Sequence, residues 1–391
     1  MNQTIDTMMA LLRFELCGTA LDEATKQMLS SAAASDLLRK VYALSGRHDL
    51  THLVADALFR NGVLAEQDEL SAKFQKKHHM AVYRVTQMEY ELSELYRVLE
   101  EATISFIPLK GSVLRRYYPE PWMRTSCDID MLVQEKDLQK ATEALSTALT
   151  YRVEKTSPHD ISLFSPGGVH LELHYGTVEE GRANRANAIL SGIWETATSI
   201  DGSYQYAMSD EMFYFYHIAH MAKHFEIGGC GIRPFLDLWI LNHKIAHDPQ
   251  KRKALLEEGG LETFAQAAQR LSEVWLSGKD ADELSLALQT YIVDGGVYGS
   301  TQNRMNVQQN RKGGKINYLL FRFFIPYDKL KFYYPVLQKH KWLLPFMWVR
   351  RWCRLIFGGS LKRSVNEIKD IHRLSDSQQQ QISDLLLKLG L

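Results

Sequence analysis

Three carboxylates and one turn carry most of the chemistry that can be read in this chain. The stretch Asp128-Ile129-Asp130-Met131-Leu132-Val133 reads as a strand, in which alternate side chains point to opposite faces. Ile129, Met131 and Val133 then turn to a core, and Asp128 and Asp130 share the other face about 7 Å apart. Two like charges at that spacing repel unless a cation lies between them. A hard divalent ion such as Mg2+ (or Mn2+) suits such a pair, because it is held by a few carboxylates together with substrate phosphates. The stretch Val169-His170-Leu171-Glu172-Leu173-His174 repeats the pattern, with His170, Glu172 and His174 on one face. A third carboxylate beside an aspartate pair can hold a second ion or take the proton of an attacking hydroxyl. His170 and His174 also suit zinc, but a Glu between two His on a strand is not the helical zinc-hydrolase arrangement.

The turn lies upstream. A short apolar run, Ile104 to Leu109, ends at Lys110-Gly111-Ser112, and the spacing predicts a helix from Val113 to Tyr118, stopped by Pro119 and Pro121. Glycine lets backbone N–H groups come close to phosphate, and a helix N-terminus favours anions. Ser112 adds a hydroxyl donor, and Lys110 and Arg124 offer positive charge to a triphosphate. Each signal alone is common: a lone Asp-x-Asp is usually a solvated strand end, and a strand–Gly-Ser–helix turn is equally unspecific. Their order, followed by a carboxylate on a second alternating strand, points to a site that handles metal and phosphate.

Elements must be present to position these groups. With 391 residues the chain is long enough for two or three domains and a large core. Hydrophobic residues at 45% and charged residues at 24% exclude a collagen, a disordered chain, a disulfide mini-protein and a coiled-coil rod. Residues 1–100 carry helical stripes: Leu37, Val41 and Leu44, then Val85, Met88, Leu92, Leu95 and Leu99, with a break at Asn61-Gly62. From residue 103 the pattern becomes strand, helix, strand, helix and further strands. Leu138, Ala141, Leu145 and Leu149 mark the second helix, and Tyr151–Glu154 and Ile161–Phe164 are candidate strands before a Pro166-Gly167-Gly168 turn. The fold class read from this order is α+β: a small mixed-sheet core flanked by N-terminal and C-terminal helical regions. Helical periodicity returns after residue 205, is interrupted at Gly228-Gly229-Cys230-Gly231, and resumes from Arg233 to His243. Residues 302–315 are polar and read as a loop. Four regions follow: 1–100 helical, 101–200 the α/β core, 201–300 a helical domain completing a nucleotide cleft, and 301–391 a basic aromatic region.

The order Lys110-Gly111-Ser112, Tyr117-Tyr118, Arg124, Asp128-Ile129-Asp130 and Glu172-Leu173-His174 resembles the DNA polymerase β-type nucleotidyltransferase superfamily. More closely it is similar to an uncharacterised bacterial nucleotidyltransferase family within it. A later pattern, His220, His224, Gly231, Arg233 and Asp237, is similar as well, so the resemblance spans most of residues 100–360. It implies a metal-dependent transfer of an NMP from an NTP, expected to be ATP, to an unidentified hydroxyl or phosphate, with release of pyrophosphate. Asp128, Asp130 and Glu172 would hold the metal and do the chemistry. Lys110, Gly111, Ser112, Arg124, His220, His224 and Arg233 would contact the nucleotide. Two other biologies are compatible with the same motifs: an inactive nucleotide-binding or partner-binding module, and a toxin-type transferase acting on RNA or protein. One departure stands out. Fifteen residues separate Ser112 from Asp128, more than is usual in the superfamily, which implies a longer loop near the nucleotide. Without the resemblance, Arg233 and Asp237, four apart, read as a surface ion pair of small worth.

The charge distribution adds one more feature. The totals cancel, with 46 basic and 46 acidic residues, yet between Arg304 and Arg363 there are 14 Lys and Arg and one acid, Asp328. Aromatic residues are interleaved there. The mixture suits RNA, through stacking and phosphate neutralisation, or an anionic membrane surface, or packing against the acidic remainder of the chain. Four cysteines, Cys17, Cys127, Cys230 and Cys353, are widely spaced with no CxxC pair. That pattern predicts a reducing compartment, no disulfides and no zinc ribbon. No apolar run is long enough to span a bilayer and no signal-peptide core is present, so a cytoplasmic location is expected.

Overall fold

The computed structural model describes residues 3–31, 34–64, 68–157, 159–176, 185–297, 299, 303, 320–321, 323–357 and 376–391. The chain divides into two units, one made of Met1–Met221 and Ile232–Leu286, the other of Ala222–Gly231 and Ala287–Leu391.

The first unit begins with helices α1 (Gln3–Cys17), α2 (Glu23–Leu29), α3 (Ala34–Arg47), α4 (Thr51–Arg60) and α5 (Glu69–Glu101). Local chemistry sets several of their ends. Asp22 and Asp68 cap α2 and α5, accepting from the backbone N–H groups of Thr25 and Ser71, which satisfies donors that a helix start otherwise leaves open. After α4 the chain turns at Asn61 and Gly62, where φ of +67° suits glycine. Of the expected stripes, Leu37, Val41 and Leu44 on α3 and Val85, Met88, Leu95 and Leu99 on α5 are buried, and Leu92 is partly buried against the same core.

The sheet follows. Its strands are β1 (Phe106–Pro108), β2 (Asp128–Val133), β3 (Arg152–Thr156), β4 (Asp160–Phe164) and β5 (His170–His174), in the order β1-β2-β5-β4-β3. The β2–β5 pair is parallel and the other pairs are antiparallel. Between β1 and β2 lies α6 (Gly111–Leu114), a single turn continued by a 3-10 turn over Arg115–Tyr117, so the helix expected from Val113 to Tyr118 begins earlier and is tighter. Helix α7 (Leu138–Leu149) follows β2. Ile129, Met131 and Val133 of β2, Leu171 and Leu173 of β5, Ala141 and Leu145 of α7 and Met88, Leu95 and Leu99 of α5 form one buried cluster. Each such side chain contributes about 1.5–3 kcal/mol of burial. That burial commits one face of β2 and β5 to α5 and α7, and leaves the polar set on the other face. The edge strand β3 is exposed along its length and carries Arg152, Glu154 and Lys155, charges that discourage pairing with another chain.

Helices α8 (Arg185–Ser191), α9 (Ile193–Thr196), α10 (Asp210–Ile227), α11 (Arg233–His243), α12 (Pro249–Gly259) and α13 (Glu262–Leu276) come next. Helix α11 matches the span expected from its sequence, and Phe235 meets Trp275 of α13 edge-on at 5.3 Å between ring centroids. In the second unit, α10 ends before Gly228 and Gly229, whose N–H groups both donate to the His224 carbonyl. A Cβ on Gly229 would lie 3.0 Å from the Tyr291 ring, so the close approach there favours glycine. The described remainder of that unit includes helices Tyr327–Tyr333, Val336–Lys339, Leu344–Phe357 and Asp376–Lys388. The polar loop expected at residues 302–315 lies outside the described residues, except for Asn303. Among the described residues no helix is long and apolar enough to cross a membrane, and the four cysteines are free.

One contact between the helical layer and the segment leading to β2 has a measurable consequence. His52 of α4 is buried, and its Nε2 donates to the Met123 carbonyl at 3.1 Å. Burial drives the imidazole down from its ordinary value to about 4, so the fold holds it neutral. A depressed folded value means stability that is complete above about pH 6.5 and is lost as pH falls towards 4. The loss by pH 5 is about 2 kcal/mol. His52→Gln keeps a donor for Met123 and is expected to flatten this acid limb, read as unfolding midpoint against pH from 7.5 to 4.5. An unchanged slope would show that His52 does not set it.

Candidate active site

Parallel pairing of β2 with β5 brings the three carboxylates together. The register sets Asp128 beside His170, Asp130 beside Glu172 and Leu132 beside His174. Because each strand turns alternate residues to the same face, Asp128, Asp130, Glu172, His170 and His174 form one polar patch opposite the core. Donor atoms of Asp128, His170 and Glu172 lie within 4.8 Å of one another, as do those of Asp130, Glu172 and His174. Glu172 belongs to both groups.

The cluster is held by its own counter-charges. Lys110 Nζ donates to Asp130 Oδ1 at 2.6 Å, and His174 Nε2 donates to the same oxygen at 2.9 Å. His174 also lies 3.5 Å from Glu172 Oε2. Burial alone would raise Asp130, but Lys110 and His174 outweigh it and keep the carboxyl well below the usual carboxylate range. Burial would likewise depress His174, yet its bonds to Asp130 and Glu172 lift it to about 9, so it carries a charge at neutral pH. Asp128 has no such partner at bonding distance among the described contacts. Burial, then Asp130 and Glu172, push it up to about 6, with Lys110 opposing. His170 is fixed from β4: its Nε2 is 2.6 Å from the Ser162 hydroxyl and its ring stacks on Phe164.

Lys110 reaches Asp130 because the backbone at the turn is unusual. Its φ is +47° and ψ −119°, a region that side-chain-bearing residues rarely occupy. A Cβ on Gly111 would meet Ser126 at 3.4 Å, an ordinary van der Waals contact. Ser112 donates its backbone N–H to the Leu109 carbonyl at 3.1 Å, within the turn. Tyr216 of α10 stands beside this group. Burial raises its hydroxyl, and Asp130, Glu172 and Asp128 raise it further against Lys110. His220 stacks on the Tyr216 ring, at 6.2 Å between centroids. His224 falls in the second unit.

The two arginines expected at the nucleotide are each paired with a carboxylate. Arg124 is buried, and its Nε and Nη2 donate to the two carboxylate oxygens of Asp237 at 2.6 and 2.8 Å. Tyr118 donates to the same carboxylate at 2.7 Å. Asp237 is therefore the partner of Arg124 in the interior, and not of Arg233 at the surface. Arg233 pairs with Asp49, which also accepts from Thr125 Oγ1. A third arginine, Arg115, is buried, and donates to the Arg124 carbonyl and to Ser126 Oγ. Ser126 in turn donates to the Asp128 carbonyl at 2.9 Å. The long segment between Ser112 and Asp128 is thus held through Arg115, through Arg124 with Asp237, through Thr125 on Asp49 and through the Met123 carbonyl on His52.

Sequence reading brought out the three carboxylates, Lys110 and the two histidines of β5. It missed Tyr216, Arg115 and the charge state of His174. For His174 a signal existed, its i+2 spacing from Glu172. For Tyr216 no sequence signal exists, since an aromatic on a helix of aromatics reads as core.

A family model described as "Uncharacterised nucleotidyltransferase" matches residues 36–277. No curated protein matches the chain. Among solved structures, terminal uridylyl transferase 4 from Trypanosoma brucei, with bound GTP, aligns at 16% sequence identity and a TM-score of 0.20. That alignment covers 48% of this chain and 66% of the uridylyl transferase chain, just under two thirds of its length.

Proposed function

This chain belongs to the uncharacterised nucleotidyltransferase family, and on that premise we propose that it moves an NMP from an NTP, with ATP the expected donor, to an acceptor hydroxyl or phosphate, releasing pyrophosphate. The observation that carries the reading is the in-register set Asp128, Asp130 and Glu172 on the open face of two parallel strands. Their donor set fits a divalent ion. The carboxylate oxygens lie close enough to share ligation, and the raised Asp128 marks a carboxylate short of compensating charge. Asp128, Asp130 and Glu172 would hold Mg2+ or Mn2+, which when bound supplies charge for the triphosphate and lowers the barrier to attack at phosphorus.

The chain's own residues do the rest. Lys110 and the charged His174 keep Asp130 ionised and aimed into the cluster. Glu172, the more exposed of the pair at 28% against 4% for Asp130, is placed to accept the acceptor hydroxyl's proton. Gly111 and Ser112 remain our proposed phosphate contacts, and His220, beside Tyr216, our proposed base or acceptor contact. The division at residues 100, 200 and 300, with the chemistry in 101–200, belongs to the same proposal.

Calorimetry with each non-hydrolysable NTP, in Mg2+ and in EDTA, tests the reading and names the donor base. Metal-dependent binding that is lost in Asp128→Asn supports it. Absence of binding by the wild type in all NTPs would favour a partner-binding module. Glu172→Gln separates two roles. If Glu172 is the base, transfer slows by about 10²–10⁴-fold while NTP affinity is kept. An equal loss of affinity would make it a ligand of the nucleotide's ion instead.

A further inference from the structure

The helix Leu344–Phe357 has two faces of different use. On its inner face, Trp348 Nε1 donates to the Ile325 carbonyl at 2.8 Å, and Trp352 Nε1 donates to the Phe323 carbonyl at 3.0 Å. The Phe324 ring meets both indoles edge-on. These bonds fix the helix by one side. The other side carries Phe346 and Val349, continued one turn earlier by Trp342 and one turn later by Cys353, at spacings of four, three and four. Trp342 is 68% exposed, Phe346 61% and Val349 52%, and Cys353 is exposed. Arg350 and Arg354 run beside this stripe and are exposed as well. Between residues 327 and 357 the chain holds seven Lys and Arg and a single acid, Asp328.

We propose that this face lies on an anionic lipid bilayer, with the apolar stripe at the boundary between headgroups and acyl chains and the arginines on lipid phosphates. Three observations select this occupant. A large apolar side chain in water is unfavourable, and here Trp342, Phe346 and Val349 form a line along the helix and the turn before it, which matches a plane. Tryptophan at the end of such a line suits the membrane–water boundary. The flanking charge is of one sign and complements anionic headgroups. RNA is the weaker fit, because Val349, in the middle of the stripe, offers no flat ring on which a base can stack. At 14 residues the helix is about 21 Å long, too short to cross a bilayer, so it lies in the plane. The surface is independent of the transfer reaction.

The test is flotation of the 391-residue chain with vesicles of phosphatidylcholine alone and of phosphatidylcholine mixed with anionic phosphatidylglycerol. Flotation with the anionic vesicles is expected to exceed that with neutral ones by about tenfold and to weaken at high salt. The double variant Trp342→Glu/Phe346→Glu should abolish it. Both positions are exposed, so the fold should be kept, as circular dichroism will show. Tyr90→Glu, an equally exposed aromatic on α5, should leave flotation unchanged. Absence of flotation, or equal flotation with neutral vesicles, would overturn the proposal. So would a tRNA gel shift, or a dimer seen by light scattering, that the same double variant removes while no vesicle binding is found.

Discussion

Asp128→Asn is expected to abolish nucleotidyl transfer and, in the same molecule, to raise the melting temperature of the metal-free protein. The two effects have one cause. Asp128 faces Asp130 and Glu172 with no cation at bonding distance among its described contacts, and its carboxyl is pushed up to about 6 by burial and by those neighbours. A folded value above the unfolded one means that the fold prefers the protonated group. The penalty begins as pH rises past about 4 and is complete above about pH 6. At pH 7.5 an asparagine of the same shape removes it. The shift corresponds to about 3 kcal/mol, and partial access to solvent reduces the expected gain to about 1–2 kcal/mol. Thermal unfolding in EDTA at pH 7.5, 5 and 4 reads the effect: the variant's gain falls to about half at pH 5 and nearly vanishes at pH 4. Adding Mg2+ with a non-hydrolysable NTP should stabilise the wild type and leave the variant unmoved. Equal turnover by the variant, or a fall in its melting temperature at pH 7.5, would sink the idea. Asp130→Asn should also end transfer, but it is the poorer probe. Asp130 is the shared partner of Lys110 and His174, and losing its charge leaves two cations without their counter-charge. Breaking a buried pair in this way costs about 3–5 kcal/mol, so lost activity and lost stability would be mixed.

Arg124→Ala is expected to destabilise the protein by about 3–5 kcal/mol, as is Asp237→Ala, because each leaves a buried charge unpaired. The guanidinium makes two bonds to one carboxylate, a geometry that lysine does not reproduce, so Arg124→Lys should recover little. Arg124→Met/Asp237→Leu removes both charges and should regain most of the loss. Urea unfolding of the four variants measures this. The outcome also decides between two roles for Arg124. A residue that only contacts triphosphate would change NTP affinity and leave the unfolding midpoint in place. The structure, with Asp237 and Tyr118 holding the guanidinium, expects the midpoint to move first. Activity should fall with it, since the segment that Arg124 secures leads directly into Asp128.

These two expectations show where reading the residues succeeds and where it stops. Short-range periodicity was legible. The alternation in Asp128–Val133 and in the strand ending at His174 assigned each carboxylate to the face opposite the core, and the stripe on α5 named the residues that cover the other face. The helix from Arg233 to His243 was visible end to end, because its breakers and its apolar run lie within a few residues of one another. The helix after Gly111 was less so: its ending depends on Arg115 turning inward to bond Arg124 and Ser126.

Partners distant along the chain were not legible. Nothing local to Arg124 indicates that its carboxylate is Asp237, 113 residues away, or that Arg233 will find Asp49. A cation four residues from an acid looks like a surface pair, and only burial shows which charges must be matched. Which side chains share a strand face follows from residue order alone, since the strand period is a property of the backbone. The tertiary structure decided that β5 lies parallel beside β2, so that Glu172 meets Asp130. It also decided which cations neutralise that cluster, because Coulomb interactions depend on separation in space, and the crossing of distant segments alone sets that separation.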